Sequence, residues 1–270
     1  MRVGYSDSTR FNAPFPGRHS TLPSMDQPSN FGLFERTRVL IGDPGVERLQ
    51  QARIFVAGLG GVGAFAAESL ARAGVGELIL ADFDTVSASN LNRQLCALHS
   101  TLGERKAEVM RRRVLDINPD CRVSLIQTFL SSEAMAGLVQ EQRADYIVDA
   151  IDSLNSKLAL LAAALDSGTP VASSMGAGGR LDPARIHVGD LMDSGGCPLA
   201  RKVRQQLRRR GYGRGIRAVW SDEPARAPLP PEPTGRGRAR AINGTISYLP
   251  GLFGLTLAGV VIQRLVGDEG

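Results

Sequence analysis

The chain has little cysteine. Cys96, Cys121 and Cys197 are its three, and they are widely spaced. None forms a Cys-x-x-Cys pair, which excludes the usual thiolate cage of a structural zinc site. A disulfide scaffold is not needed either, because a chain of 270 residues can bury a sizeable core. Few unpaired cysteines suit a reducing compartment, so a cytoplasmic location is expected. The first 30 residues lack the continuous apolar stretch of a secretory signal and are rich in Ser, Pro, Asn and Gly. They read as a disordered N-terminal tail, with residues 31–270 as one domain. No internal repeat is evident. Charge is missing from Ile242 to Gln263, so a membrane span must be weighed. Pro250, Gly251, Gly254 and Gly259 interrupt it, which favours a core or dimer helix with close backbone packing. Stable membrane insertion is therefore not expected, while peripheral membrane contact through 242–263 stays open.

Acid is scarce in one stretch. Arg201 to Arg240 holds twelve Lys or Arg against Asp222, Glu223 and Glu232, a local charge of +9 in a chain of net +5. A concentrated basic face attracts polyanions, because neutralising phosphates releases counterions. A solvated arginine-rich helix plus loop is the other reading of the same charge. This stretch, near 201–241, reads as a basic insert, and Pro, Gly and Arg mark Ala225 to Ala241 as an exposed loop.

What is present alternates. Phe34 to Gln51 predicts a helix broken at Gly42 to Gly45. Arg53 to Ala57 predicts a buried parallel strand, Val62 to Ala73 a helix ended by Gly74, and Glu77 to Ala81 a second strand. Helices over Glu104–Ile117, Ser132–Gln140 and Ser156–Ser167 then alternate with strands over Arg122–Gln127, Tyr146–Ala150 and Pro170–Ser174. The fold class expected is α/β, a Rossmann-like, mainly parallel sheet with helices on both faces plus a C-terminal extension.

The loop Gly58-Leu59-Gly60-Gly61-Val62-Gly63 lies between the first strand and its helix. Gly58 and Gly60 permit a tight turn and close approach of phosphate oxygens, and Gly63 lets the helix pack near the strand. The helix N-terminus then offers N–H groups to an anion. Asp82, at the end of the second strand, is placed to accept ribose hydroxyls. NAD and ATP are both allowed at this point. Arg93 and Lys106 separate them, because two cations near the phosphates suit a triphosphate and its leaving pyrophosphate. Asp149 and Asp152 reach the carboxyl edge of the sheet, where a carboxylate can hold Mg²⁺ against phosphates. His99 and His187 have no evident sequence partners, so structural roles are expected.

Gly58-x-Gly60-Gly61-x-Gly63, Asp82-Phe83-Asp84-x-Val86, Asn90-Leu91-Asn92-Arg93-Gln94, Lys106 and Asp149-Ala150-Ile151-Asp152-Ser153 together resemble the activating-enzyme superfamily of ubiquitin-like proteins. The adenylyltransferases ThiF and MoeB belong to it. The resemblance runs from about Phe31 to the C-terminus. It implies that Asp82 holds the ribose, Asn90 and Arg93 engage phosphates, Lys106 supports the triphosphate and Asp152 handles Mg²⁺. It adds Gly58, Gly60, Gly61, Gly63, Asp84 and Ser153 as nucleotide-contacting positions and makes Arg93, Lys106 and Asp152 catalytic. ATP and Mg²⁺ are the implied cofactors, with a monovalent cation as a further candidate.

Further strings resemble one branch, the tRNA threonylcarbamoyladenosine dehydratases. They are Phe34-Glu35-Arg36 with Gly42, Asn118-Pro119-x-Cys121, Ser174 to Pro183, Pro198 to Arg204, and Val219-Trp220-Ser221-Asp222-Glu223-Pro224. That branch implies adenylation of a threonyl carboxylate on tRNA, then ring closure with release of AMP. The attacking atom is already on the substrate, so no enzyme thiol is needed. The basic segment gains a partner in the tRNA backbone. One departure stands out: Cys197 occupies a position before Pro-Leu-Ala where aspartate is expected, and it opens a nucleophilic role beside that of an inert thiol. A homodimer is implied, and a sulfur-relay or cysteine-desulfurase partner is a further candidate. The alternative activity is adenylation of a ubiquitin-like sulfur carrier, against which the missing zinc pairs and the basic stretch count. An NAD-binding oxidoreductase or nucleotide sensor is the reading from another class.

Overall fold

A computed structural model describes residues 32–229 and 243–267. The N-terminal tail expected over 1–30, and most of the loop expected over 225–241, lie outside the described residues. Helix α1 (Glu35–Gln51) leads into β1 (Arg53–Ala57). The expected break falls at Gly42, whose φ of 68° interrupts the helix two residues before Pro44. Then come α2 (Gly63–Ala73), β2 (Glu77–Ala81), α3 (Lys106–Ile117) and β3 (Arg122–Ile126). The second half follows as α4 (Met135–Gln142), β4 (Tyr146–Asp149), α5 (Leu154–Ser167) and β5 (Val171–Ser174). β6 (Ile186–Asp190), α6 (Pro198–Arg209), β7 (Ile216–Ser221) and α7 (Leu249–Val266) complete it.

The seven strands run in the order β3-β2-β1-β4-β5-β7-β6. All neighbours pair in parallel except β6 with β7. Alternate residues of β1 face opposite layers. Ile54 and Val56 join the core under α2, α3 and α7, while Phe55 and Ala57 join the core under α5 and α6. The order in which strands are added reverses between β1 and β4. That crevice, at the carboxyl ends of the strands, is where a doubly wound sheet binds ligands. In register, Ala57 faces Ala81 on one side and Asp149 on the other. The residues just after those three positions therefore share one edge.

Two segments differ from what their composition suggests. The described part of the stretch that reads as a basic insert, up to residue 229, is woven into the domain: α6 buries Ala200, Val203 and Leu207, and β7 runs inside the sheet with only Arg217 exposed. Charge hides both, because the apolar residues are interleaved with arginines. The charge-free segment forms α7, whose 18 residues are long and apolar enough to cross a membrane. Half of it is buried within the protein. It buries Phe253, Leu257 and Val261, and its Gly254 crosses α2 so closely that a Cβ there would lie 2.2 Å from the Val62 carbonyl oxygen. The close packing expected of a core helix is thus present at that glycine.

Candidate functional site

The glycine loop has the shape its residues demand. Gly58 sits at φ 90° and donates its N–H to the Ala81 carbonyl at 2.8 Å. A Cβ on Gly58 would lie 2.7 Å from the Ala150 oxygen, and one on Gly63 1.7 Å from the Gly58 oxygen. Those two positions admit glycine only. Gly60 has open space instead, with the Gln94 amide 3.7 Å from where a Cβ would be. α2 begins at Gly63 without a side-chain cap, directly after Gly60, Gly61 and Val62, which line the cavity.

Asp82 holds this loop. One carboxylate oxygen accepts the Leu59 N–H at 2.7 Å and the other the Asp84 N–H at 2.8 Å. Burial raises its pKa above the ordinary 3.8, against the lowering effect of those two N–H groups and of Lys106. From sequence its expected role is the ribose alone; the structure adds the positioning of the loop.

Lys106 is the first residue of α3 and is almost wholly buried. Its ammonium donates to the Asp84 carboxylate at 2.9 Å, which keeps the long side chain extended into the cavity. Arg93 also lines that cavity, its guanidinium steadied by the Ser89 carbonyl and the Asn92 side chain, each at 2.8 Å. Asn90 accepts the Ser87 N–H and closes the short turn that carries Arg93. Gln94 leaves its side-chain oxygen buried without a partner.

β4 and the turn after it divide two aspartates. Asp149 is fully buried and ion-paired with fully buried Lys157 at 2.6 Å, with the Ser173 hydroxyl donating to the same carboxylate oxygen at 2.6 Å. Sequence alone makes Asp149 a candidate metal ligand; in the structure Lys157 takes its carboxylate instead. Asp152, three residues on, is exposed and lines the cavity beside Ser153, which precedes α5. Sequence does not single out Lys157, because no local pattern distinguishes it from a surface lysine of α5.

All eleven site residues expected from sequence belong to this one place. Gly58, Gly60, Gly61, Asp82, Asp84, Asn90, Arg93, Lys106, Asp152 and Ser153 line a single cavity of about 800 Å³, and Gly63 supports it from behind. Sequence reasoning names Cys197 but not the other residues that complete the lining: Gly176 and Gly178 follow β5, Cys197 stands at the N-terminus of α6, and Arg180 is buried at 3% exposure. The signal available is an arginine inside a glycine-rich run, Gly176 to Arg180. Cys197 is itself buried. Burial pushes the Cys121 thiol up to about 11 and raises that of Cys96, so neither is set up as a thiolate. His187 does have a partner: it lies 3.2 Å from the Asp222 carboxylate and against the Trp220 ring. Among the described residues no cluster of three or more His, Cys, Asp or Glu could form a protein-only metal cage.

The profile of the ThiF family matches residues 34–270. The chain is 36% identical over 242 residues to the tRNA threonylcarbamoyladenosine dehydratase of Bacillus subtilis (strain 168), a match that spans 87% of this chain and 95% of the relative. To the enzyme of that name from Escherichia coli (strain K12) it is 41% identical over 175 residues, 65% of each chain. The solved structure of the E. coli tRNA N6-threonylcarbamoyladenosine dehydratase, TcdA, in complex with ATP superposes with a TM-score of 0.78 at 33% identity. That match covers 87% of this chain and 94% of the other.

Proposed function

From the premise that the chain belongs to the ThiF family, we propose that it is a tRNA threonylcarbamoyladenosine dehydratase. It uses ATP to adenylate the threonyl carboxylate of the modified adenosine and then closes the ring. The observation that carries this is the single cavity, which joins the glycine loop, Lys106 and Asp152 at the switch point of the sheet.

The chemistry divides into two displacements. A carboxylate oxygen of the substrate attacks the α-phosphorus of ATP, a new O–P bond forms, and pyrophosphate leaves. The ureido nitrogen or oxygen then attacks the acyl carbon, AMP leaves, and the attacking group gives up its proton. Net, the substrate loses water and ATP becomes AMP and pyrophosphate. The first displacement builds negative charge on the leaving pyrophosphate, and fixed cations stabilise it without reorganising. Lys106 and Arg93 supply those cations. The N–H groups at the start of α2 take phosphate oxygens, and Asp82 takes the ribose while holding Leu59 in place. Gln94 offers its unpartnered oxygen to a donor on the nucleotide.

Asp152 suits Mg²⁺. An exposed carboxylate beside a phosphate site fits an ion that keeps several waters and takes its remaining oxygens from the substrate. Bound there, Mg²⁺ would neutralise phosphate charge. The exposed arginines of α6 are the proposed contact with the tRNA backbone, and a homodimer in the cytoplasm completes the reading.

The test is mass spectrometry of tRNA nucleosides. Purified protein, ATP and Mg²⁺ are incubated with tRNA bearing threonylcarbamoyladenosine. The expected result is loss of about 18 mass units from that nucleoside with one AMP formed per conversion. An unchanged nucleoside sinks the proposal. Pyrophosphate exchange driven by a Gly-Gly-ended carrier protein but not by tRNA would replace it with the carrier-activating reading.

A further inference from the structure

Arg180 is buried at 3% exposure, yet among the described residues it has no carboxylate partner. Its Nε donates to the Glu223 carbonyl at 2.9 Å, and its Nη1 to the carbonyls of Gly176 at 2.6 Å and Gly178 at 3.2 Å. Its Nη2 has no hydrogen-bond partner among those residues. Taking a guanidinium out of water without a counter-charge is expensive, and an unsatisfied buried donor needs an explanation. Three backbone carbonyls hold the group rigidly, so the remaining side of the fork is presented in a fixed direction. Arg180 borders the cavity already described.

A second feature converges on the same point. Cys197 is the N-cap of the 12-residue helix α6 and makes no side-chain cap bond; Pro198 has no N–H and the Arg201 N–H bonds the Cys197 carbonyl, which leaves the Leu199 and Ala200 N–H groups open. The Cys197 sulfur and the Arg180 Nη1 lie 3.7 and 3.6 Å from the position of a Cβ on Gly176. A small residue there keeps the space between them clear. The Glu223 carboxylate feels the charge of Arg180, but it is held by the Leu181 and Asp182 N–H groups and does not hydrogen-bond the guanidinium.

We propose that Arg180, with the open N-terminus of α6, binds the carboxyl group of the substrate in the cavity it shares with the glycine loop. Arg180 Nη2 holds one carboxylate oxygen while the other is left to attack the α-phosphorus. After adenylation the held oxygen is the acyl carbonyl. It gathers negative charge as the ureido group adds to the acyl carbon, and the same fixed cation stabilises it until AMP leaves. This rests on the dehydratase reading above and adds to it the residue that recognises the reacting end of the substrate.

The experiment compares wild-type protein with R180Q and R180K by two readouts. The first is the affinity for ATP without tRNA, by titration calorimetry. The second is the KM for tRNA bearing threonylcarbamoyladenosine, from AMP release. Loss of a charge-assisted hydrogen bond should raise that KM about tenfold or more in R180Q, with ATP affinity within about twofold of wild type. R180K should recover part of the loss. If R180Q does not fold, R180K decides by the same readouts. A tRNA KM unchanged in the folded variants overturns the proposal. So does an equal loss of ATP affinity, which would assign Arg180 to a phosphate of the nucleotide. If wild-type protein fails to convert the tRNA, the dehydratase reading falls and this role falls with it.

Discussion

Asp82 and Lys157 show what burial does to single charges. Asp82 must be ionised to accept from Leu59, Asp84 and a ribose hydroxyl, but burial favours its protonated form and raises its pKa above 3.8. A raised value means that the charged acceptor is lost earlier as the pH falls. ATP affinity is therefore expected to fall on acidification with a midpoint above the ordinary aspartate value of 3.8, and D82N should abolish that limb while weakening binding at neutral pH. Titration calorimetry across pH checks this. A pH-independent affinity down to about pH 4 would contradict it. Lys157 is enclosed by the Asp149 carboxylate, the Ser173 hydroxyl and the Ser174 carbonyl. Truncating it strands a buried carboxylate, so K157M should cost roughly 3–5 kcal/mol by denaturant unfolding. The pair ties β4, α5 and β5 together close to Asp152, so its loss should also weaken ATP binding. Asp82 is legible in the sequence by its spacing from the glycine loop. Lys157 is not, because a lysine one turn into a helix looks the same whether water or a carboxylate meets it.

At the scale of elements, the packing of α7 on α2 turns on backbone contact. A Cβ at Gly254 would stand 2.2 Å from the Val62 oxygen, whereas nothing lies within 4 Å of one at Gly259. G254A should therefore force the helices apart and cost about 1–3 kcal/mol or more. G259A, on the same helix, should be neutral or stabilise by up to roughly 1 kcal/mol through helix propensity. Thermal unfolding of the two variants separates packing from propensity; equal melting temperatures would refute the close-contact account. Because α2 opens the phosphate site, G254A should also weaken ATP binding. The alternating elements from Arg53 to Ser174 are legible to within about three residues, since buried parallel strands are short apolar runs and two of the helices, α2 and α5, end in glycine at Gly74 and Gly168. β6 and β7 are not legible. β6 carries His187 and Gly189 in a half-exposed edge, and β7 is embedded in a stretch whose dominant signal is charge.

Over the whole molecule, the described part of the basic stretch belongs to elements of the folded domain, α6 and β7. α6 turns Ala200, Val203 and Leu207 inward and leaves Arg201, Arg208 and Arg209 exposed. R208Q with R209Q, both outside the cavity, should weaken tRNA binding at low salt and flatten its salt dependence. The slope of log K against log salt should fall by about 0.7–0.9 for each phosphate no longer neutralised. ATP affinity should not change. Filter binding over a salt series checks this; an unaltered slope would remove α6 from the tRNA face. The linear sequence determined the order of strands and helices up to Ser174, the glycine loop and the acids and cations that surround a nucleotide, because each of these depends on residues close together in the chain. Only the tertiary structure decided that Asp149 faces Lys157 rather than a ligand. It alone put Arg180 and Cys197 in one cavity with a loop more than a hundred residues earlier, and wove β7 into the sheet. Whether a charge is matched by a neighbour or kept for a substrate depends on which groups the sheet brings within about 3 Å, and nothing local to either residue records that distance.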